Sequence, residues 1–573
     1  MKYVESGTGY SHSVGYEYDE KNMLTSMVET INGKEKTTSY TYDDDDRITS
    51  VTDGTATKNY TYDAFGRLTS QTTKHGSSTV KTDTFGFMPR STTSQTSSQI
   101  QTHTVNIGGT DTVYTYTYDA NGNITSITGG GNTVTYAYDS ANQLIREDNL
   151  AGDYTHTWTY DNAGNILTRT EYDYASAETE PSGTGETVTY TYGDNNWGDL
   201  LTGYDGKTIS YDKVGNPESD GTWEYDWQHG RQLARMESQS NSGTYWNFTY
   251  NADGLRTKRT NGTKTYEYIY NGSQLTQMTV DGKTLTFSYD ASGTPLSVNY
   301  NGTTYYYVTN IQGDVTAILT SSGTKVVSYT YDAWGNPLAT TGSLASTLGA
   351  HNPLRYRGYV WDSETELYYL QSRYYNPEVS RFINADVLIS NIGGQMLGNN
   401  TFGYCLNNPV NLVDSLGLYP QPYFDNPAGE LGYKIGQWIG GVIKDFPTKE
   451  EHYNRNDYQK EVFETDPRDI INSDDWERQP DAVNKFHKNT IGEQGLDAKD
   501  NVKYMTTDRK KEVIINFTNP TEPKIVTDPF NIGTYNFGTG ISHVILDVLP
   551  YWLWGNSETD SGWEYAYIRL FGA

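Results

Sequence analysis

One phrase recurs along most of this chain: aromatic, any residue, Tyr, Asp, two residues, Gly, one residue, hydrophobic. Copies stand at Tyr16, Tyr18 and Asp19; at Tyr60, Tyr62, Asp63, Gly66 and Leu68; and at Tyr116, Tyr118, Asp119, Gly122 and Ile124. Others are Tyr136, Tyr138 and Asp139; Trp158, Tyr160, Asp161, Gly164 and Ile166; Phe287, Tyr289 and Asp290; and Tyr329, Tyr331, Asp332, Gly335 and Pro337. Undegenerate neighbours lie 20 to 24 residues apart, as from Asp43 to Asp63. A fixed period of this size is the signature of a repeat architecture. Alternating Tyr, Thr and Val place every second side chain on one face of a strand. The Asp that follows bonds its own backbone, and Gly accepts positive φ, so each unit reads as strand, turn, strand. A lone hairpin cannot bury its aromatic face, so the units must stack into a continuous sheet over about residues 10 to 340.

The chain has 573 residues, too many for one domain of roughly 100–200 residues. With 51 Tyr, 56 Gly, 18 Pro and a single Cys, Cys405, it is neither collagen-like nor a disulfide scaffold, and cysteine usage leaves the compartment open. The net charge of −29 argues against a surface that coats nucleic acid or anionic membrane, although a local basic pocket remains compatible with it. No apolar run approaches the roughly 20 residues of a bilayer span, so no stable membrane span is expected. The first residues contain no apolar stretch after the charged start, so no signal peptide is visible. The chain opens inside the repeat pattern and reads as the back portion of a longer protein whose N-terminal delivery region is missing.

A second block of motifs runs from about Tyr331 to Leu418. Its pieces are Arg355, Arg357, Gly358 and Tyr359; Leu367, Tyr369, Leu370, Gln371, Arg373, Tyr374 and Tyr375; Arg381, Phe382, Asn384, Ala385 and Asp386; and Asn407, Asn408, Pro409, Val410 and Asn411. With the repeats, this block resembles the Rhs or YD-repeat family, which includes bacterial Rhs proteins, the C subunit of insecticidal toxin complexes, wall-associated toxins and animal teneurins. The block looks like the Rhs-associated core, and its Asn-Ala-Asp with Leu397, Gly398, Asn399 and Asn400 resembles the Gram-positive form. The resemblance implies a mainly β fold: a YD-repeat β-sheet spiral over 1–340 forming a hollow cocoon shell, and a core over 341–418 that closes it. A smaller α+β effector domain over 419–573 follows.

In this family the core often carries an aspartyl autoprotease that frees the C-terminal polypeptide inside the shell. Carried over, Asp386 and Asp414 are the acid pair and the cut falls after Leu418. Two neighbouring carboxylates suit the chemistry, one protonated as acid and the other ionised to activate water. The usual Asp-Pro-x-Gly at the first Asp is Asp386-Val387-Leu388 here, and the second motif reads Asp414, Ser415, Leu416, Gly417, Leu418. The bland reading makes both Asp residues turn formers beside Gly417, with Arg373 and Arg381 as structural ion-pair residues.

Beyond Leu418 the repeats vanish and helix formers rise. Gly432, Gly436 and Gly440 form one stripe of a helix over Leu431 to Lys444, suited to packing on the domain's own core. Asp481 to Lys488, bearing His487, suggests a second helix. Asn501 to Thr506 and Glu512 to Phe517 flank a polar turn containing Arg509, Lys510 and Lys511, and read as a β-hairpin. A Gly-, Thr- and Asn-rich loop including Asn536 then leads to a helix start where Thr539 or Ser542 can cap, and free N–H groups there suit a phosphate. His543 and Asp547 stand four apart on that helix, as a general acid or base with its orienting carboxylate requires. Lys503, Arg509, Lys510 and Lys511, with Asn536, are the matching candidates for binding substrate. The competing reading is a buried, satisfied structural histidine. No metal-ligand spacing, Walker loop, Rossmann fingerprint or Gly-x-Ser-x-Gly occurs, and the segment has no Cys, so neither metal nor cofactor is expected.

The resemblance implies a polymorphic toxin of interbacterial competition, secreted or displayed at the cell surface and acting in target cells. Its cargo reads as a nuclease on target-cell nucleic acid, countered by a cognate immunity protein. Two other readings remain: a non-enzymatic adhesion or carbohydrate-binding protein, and a membrane-disrupting toxin using the glycine stripe with Val544 to Trp554.

Overall fold

The computed structural model describes residues 2–7, 10–89, 96–177, 179–386, 397, 400–418 and 420–422, and three strands between 501 and 527. The chain divides into two compact units, Met1–Trp438 and Ile439–Ala573.

The Tyr-Asp phrase folds as its chemistry requires. In the turn at Asp63 the backbone closes with Asp63 N–H to Arg67 O at 3.0 Å and Gly66 N–H to Asp63 O at 3.0 Å. Asp63 Oδ1 accepts from the amides of Phe65 at 2.9 Å and Arg67 at 3.0 Å, while Oδ2 accepts from Arg67 Nε at 2.8 Å. The same pattern recurs at Asp119 with Asn123 and at Asp161 with Asn165. Gly66 sits at φ +78, and where Gly is absent Asn142 takes the left-handed conformation at φ +62, which Asn tolerates better than other residues.

The Tyr before each Asp links one repeat to its predecessor. The strand ladder slips register at Thr61/Tyr62, Thr117/Tyr118, Thr159/Tyr160 and Thr330/Tyr331. Such a bulge bends the strand and re-aims the side chain. In several copies the Tyr hydroxyl then donates to the carbonyl of the hydrophobic residue that closes the preceding turn. Tyr62 reaches Ile48 O at 2.8 Å, Tyr138 reaches Ile124 O at 2.7 Å and Tyr331 reaches Val315 O at 2.9 Å. One side chain thus packs its ring between hairpins and bonds across them.

Stacking yields two antiparallel sheets in which consecutive strands pair. Eighteen strands, from Lys2–Gly7 to Lys207–Thr208, form the first, and fourteen, from Ser210–Tyr211 to Pro337–Thr341, form the second. The described part of the first unit is thus mainly β, as expected. A four-stranded sheet, Val360–Asp362, Leu367–Tyr369, Tyr374–Asn376 and Arg381–Phe382, packs between them. Its side chains alternate between two cores. Leu367, Tyr369 and Tyr374 join Phe287, Val298 and Tyr307 of the second sheet. Tyr368, Leu370 and Tyr375 join Tyr116, Leu144 and Trp158 of the first. A strand apolar on both faces is the form a buried central strand takes.

Polar side chains lock this core segment to the sheets. Arg256 and Arg259 of the second sheet both pair with buried Asp362, and Arg259 also reaches Glu364 at 2.7 Å. The Asn407 to Asn411 motif lies across three successive repeat turns. Asn408 Nδ2 donates to Asn123 Oδ1 at 2.9 Å, Asn407 Nδ2 to Gln143 Oε1 at 2.9 Å and to Gly164 O at 2.7 Å, and Asn411 Nδ2 to Tyr138 OH at 3.0 Å.

In the second unit the expected hairpin is present: Asn501–Met505 pairs antiparallel with Glu512–Asn516. A third strand, Lys524–Thr527, extends it, an addition that the sequence reading did not contain. The helices expected over 431–444, over 481–488 and after Ser542 lie outside the described residues.

Candidate functional site

The site forms where the core segment returns past its own strands. Arg373 precedes the strand Tyr374–Asn376, and its guanidinium carbon lies over the Phe382 ring, 3.5 Å from the centroid. Asp386 follows the strand Arg381–Phe382, held by its amide on Thr401 O at 2.8 Å and by Ala385 N–H on Gly215 O at 3.0 Å. Asp414 follows the strand Leu412–Val413, and its amide donates to Tyr359 OH at 3.0 Å.

Asp386 and Asp414, 28 positions apart in sequence, converge on a single nitrogen. Arg373 Nη2 lies 3.0 Å from Asp386 Oδ2 and 3.2 Å from Asp414 Oδ2. Arg373 Nη1 donates to Thr401 O at 3.2 Å. Burial pulls the guanidinium below its ordinary value, against the opposing pull of Asp414 and Asp386. The cation offsets the like-charge repulsion that a bare carboxylate pair would suffer.

Asp414 also performs the turn role that the bland reading assigned to it. Its Oδ1 accepts from Leu418 N–H at 2.9 Å, closing the turn over Ser415, Leu416 and Gly417. Gly417 takes φ +69, and a Cβ there would come within 2.8 Å of Ser372 Oγ and 3.1 Å of Leu370 O. Capping a turn and standing in an acid pair are compatible, because the two oxygens of Asp414 face different partners. Arg373 is the ion-pair residue expected, but it sits at the centre of the acid pair. Ser372, not singled out in the sequence, contacts the same turn through its hydroxyl, 2.6 Å from both Leu416 O and Gly417 O. The adjacency of Ser372 and Arg373 in sequence was the only available signal. Arg381 is structural: it donates to Tyr192 OH and, at 2.8 Å, to Asp199 O.

Of the cargo candidates, Lys503 lies on the strand Asn501–Met505, paired in register with Ile514. Arg509, Lys510, Lys511, Asn536, His543 and Asp547 lie outside the described residues, as do Tyr419 and the glycine stripe at Gly432, Gly436 and Gly440. Among the described residues no cluster of His, Cys, Asp and Glu is arranged to hold a metal ion, and no helix is long and apolar enough to cross a membrane.

Stacked Tyr-Asp hairpins in two large antiparallel sheets, bound to a tyrosine-rich core segment, define an Rhs or YD-repeat shell protein. The chain belongs to the teneurin YD-shell family, which matches residues 5–94 and 171–410, while the Rhs repeat matches residues 118–154. It is 36% identical over 280 residues to the tRNA3(Ser)-specific nuclease WapA of Bacillus spizizenii, covering 48% of this chain and 11% of that protein. It is 34% identical over 280 residues to the tRNA nuclease WapA of Bacillus subtilis strain 168, again 48% of this chain and 11% of that protein. The chain therefore spans about a tenth of the length of these curated relatives. Its fold is similar to the crystal structure of TcdB2-TccC3-Cdc42, with a TM-score of 0.56 at 18% identity over 74% of this chain and 22% of that one.

Proposed function

We propose that this chain is part of an Rhs polymorphic toxin whose core cuts itself after Leu418 and frees residues 419–573 as a toxic cargo, a nuclease. The observation that carries this reading is the convergence of Asp386 and Asp414 on Arg373, with Asp414 also holding the amide of Leu418. One carboxylate of the pair takes a proton from water, the resulting hydroxide attacks the Leu418 carbonyl carbon, and the other carboxyl protonates the departing nitrogen of Tyr419. Hydrolysis consumes one water and leaves a Leu418 carboxylate and a free Tyr419 amine. Two curated relatives named as tRNA nucleases support nucleic acid as the class of target. In this reading His543 serves as acid or base with Asp547 orienting it, and Lys503, Arg509, Lys510, Lys511 and Asn536 hold the phosphate backbone. A nuclease cargo requires a cognate immunity protein in the producing cell, and its target requires secretion or surface display followed by entry into another cell.

The deciding measurement is the intact mass of the purified full chain beside its Asp414→Asn variant. The reading expects a fragment beginning at Tyr419 in the parent protein and none in the variant; an uncut parent chain rejects self-cleavage.

A further inference from the structure

We infer that Ser372 and Arg373 form a clamp on the Gly417 carbonyl that positions the chain for cleavage; the inference rests on the self-cleavage proposed above. Arg373 Nε donates to Gly417 O at 2.5 Å, and Ser372 Oγ stands 2.6 Å from the same oxygen and 2.6 Å from Leu416 O, its single proton shared between the two carbonyls. Ser372 adds its backbone amide to Leu416 O at 3.2 Å. At the other end of the same peptide unit, Leu418 N–H is held by Asp414 Oδ1 at 2.9 Å. The planar peptide between Gly417 and Leu418 is therefore gripped at both its oxygen and its nitrogen. A trans peptide plane allows no rotation about its own C–N bond. Between the clamp and the Leu418 carbonyl, only the two backbone dihedrals of Leu418 remain free. The bond to be cut is thus presented by a short arm anchored at its base, and most of the entropy of locating it is removed before water attacks.

The turn leaves no room for a side chain at Gly417. Gly417 φ lies in the left-handed region, and a side chain at this position would collide with Ser372 Oγ, the clamp's own donor. Arg373 has a double task, because the guanidinium that grips Gly417 through Nε touches both carboxylates through Nη2. Substrate and acid pair are held in one frame by one planar group, whose donors lie in a rigid fork. Ser372 touches the turn at Leu416 O and Gly417 O, so it is a positioning residue and the better probe.

The test follows release of the C-terminal fragment from the full chain by mass, for the parent and for Ser372→Ala, Ser372→Cys, Ser372→Thr and Asp414→Asn, with thermal unfolding measured for each. Ser372→Ala is expected to slow release by on the order of 10-fold to 100-fold. Ser372→Thr, which keeps the hydroxyl, should restore most of the rate. Ser372→Cys, with its weak S–H donor, should fall between them while preserving the volume. A merely structural serine would show rates that follow the unfolding temperature and no selective rescue by Thr. Release from Ser372→Ala at the parent rate overturns the clamp while leaving self-cleavage standing. Should Ser372→Ala fail to fold, release from Ser372→Cys at the parent rate overturns it equally. A parent chain that stays uncut, like Asp414→Asn, removes the proposed reaction and the clamp with it.

Discussion

Glu147 of the first sheet reaches across to the second and accepts a hydrogen bond from the amide beside Asp332, Ala333 N–H to Glu147 Oε2 at 3.1 Å. Both carboxyl groups are buried. His156 stands against this seam, with Nε2 on Glu171 at 2.9 Å and Nδ1 3.9 Å from Glu147, and Tyr154 OH donates to Glu147 at 3.1 Å. The sheets therefore meet over two buried acidic side chains.

Burial, then the charge of Glu147, pushes Asp332 up to about 7, against His156 and Arg169. A carboxyl raised in the folded state contributes stability below its unfolded value near 3.8, and that contribution is lost as pH rises through about 7. Burial lowers His156, but Glu147, Asp332 and Glu171 together raise it above its ordinary value, so its contribution has the same sign. Asp332→Asn keeps an oxygen for the amides of Trp334 and Asn336 and mimics the protonated form. Its unfolding temperature should gain on the parent's as pH goes from 5 to 8. A difference that stays flat over this range contradicts the assignment.

Asp362 is the shared counter-ion of two arginines with almost no solvent contact. Asp362→Ala leaves Arg256 with no carboxylate and Arg259 with Glu364 alone. Breaking a buried pair on one side costs about 3–5 kcal/mol. Chemical denaturation should show the midpoint drop accordingly, whereas a loss below about 1 kcal/mol would mean that water enters and solvates the guanidinium groups.

Tyr331→Phe removes only the hydroxyl that bonds Val315 O. Leaving that carbonyl without its donor should cost about 1–3 kcal/mol, read as a fall in unfolding midpoint. An unchanged midpoint would show that the ring alone holds successive hairpins together.

Expression of residues 419–573 alone should arrest bacterial growth, with His543→Ala and Asp547→Ala each relieving the arrest and RNA degradation tracking toxicity. Arrest that persists in both variants rejects this pair as the active site. Dye leakage from liposomes without nucleic acid loss would favour the membrane-disrupting alternative.

The repeats were legible because their instructions are local. Asp63 is satisfied by atoms within four residues of itself, and Gly66 supplies a positive φ that few other residues adopt. The acid pair came from family resemblance, since nothing in the sequence around Asp386 signals Asp414. Arg373 was named as an ion-pair residue but not placed between the two, and Ser372 was missed, because no spacing rule links an arginine to carboxylates 13 and 41 positions away.

The sequence by itself determined the strand, turn and strand of each hairpin, the face on which each Tyr lies, and the need to stack, since periodicity and turn chemistry act over a few residues. Only the tertiary structure decided that Asn408 meets Asn123 across 285 positions, that one strand splits its tyrosines between two cores, and that Arg373 gathers Asp386, Asp414 and Gly417 at one point. Those meetings depend on how many hairpins stack and how far each twists on the last. That accumulated geometry belongs to the whole sheet and leaves no mark on any short stretch of chain.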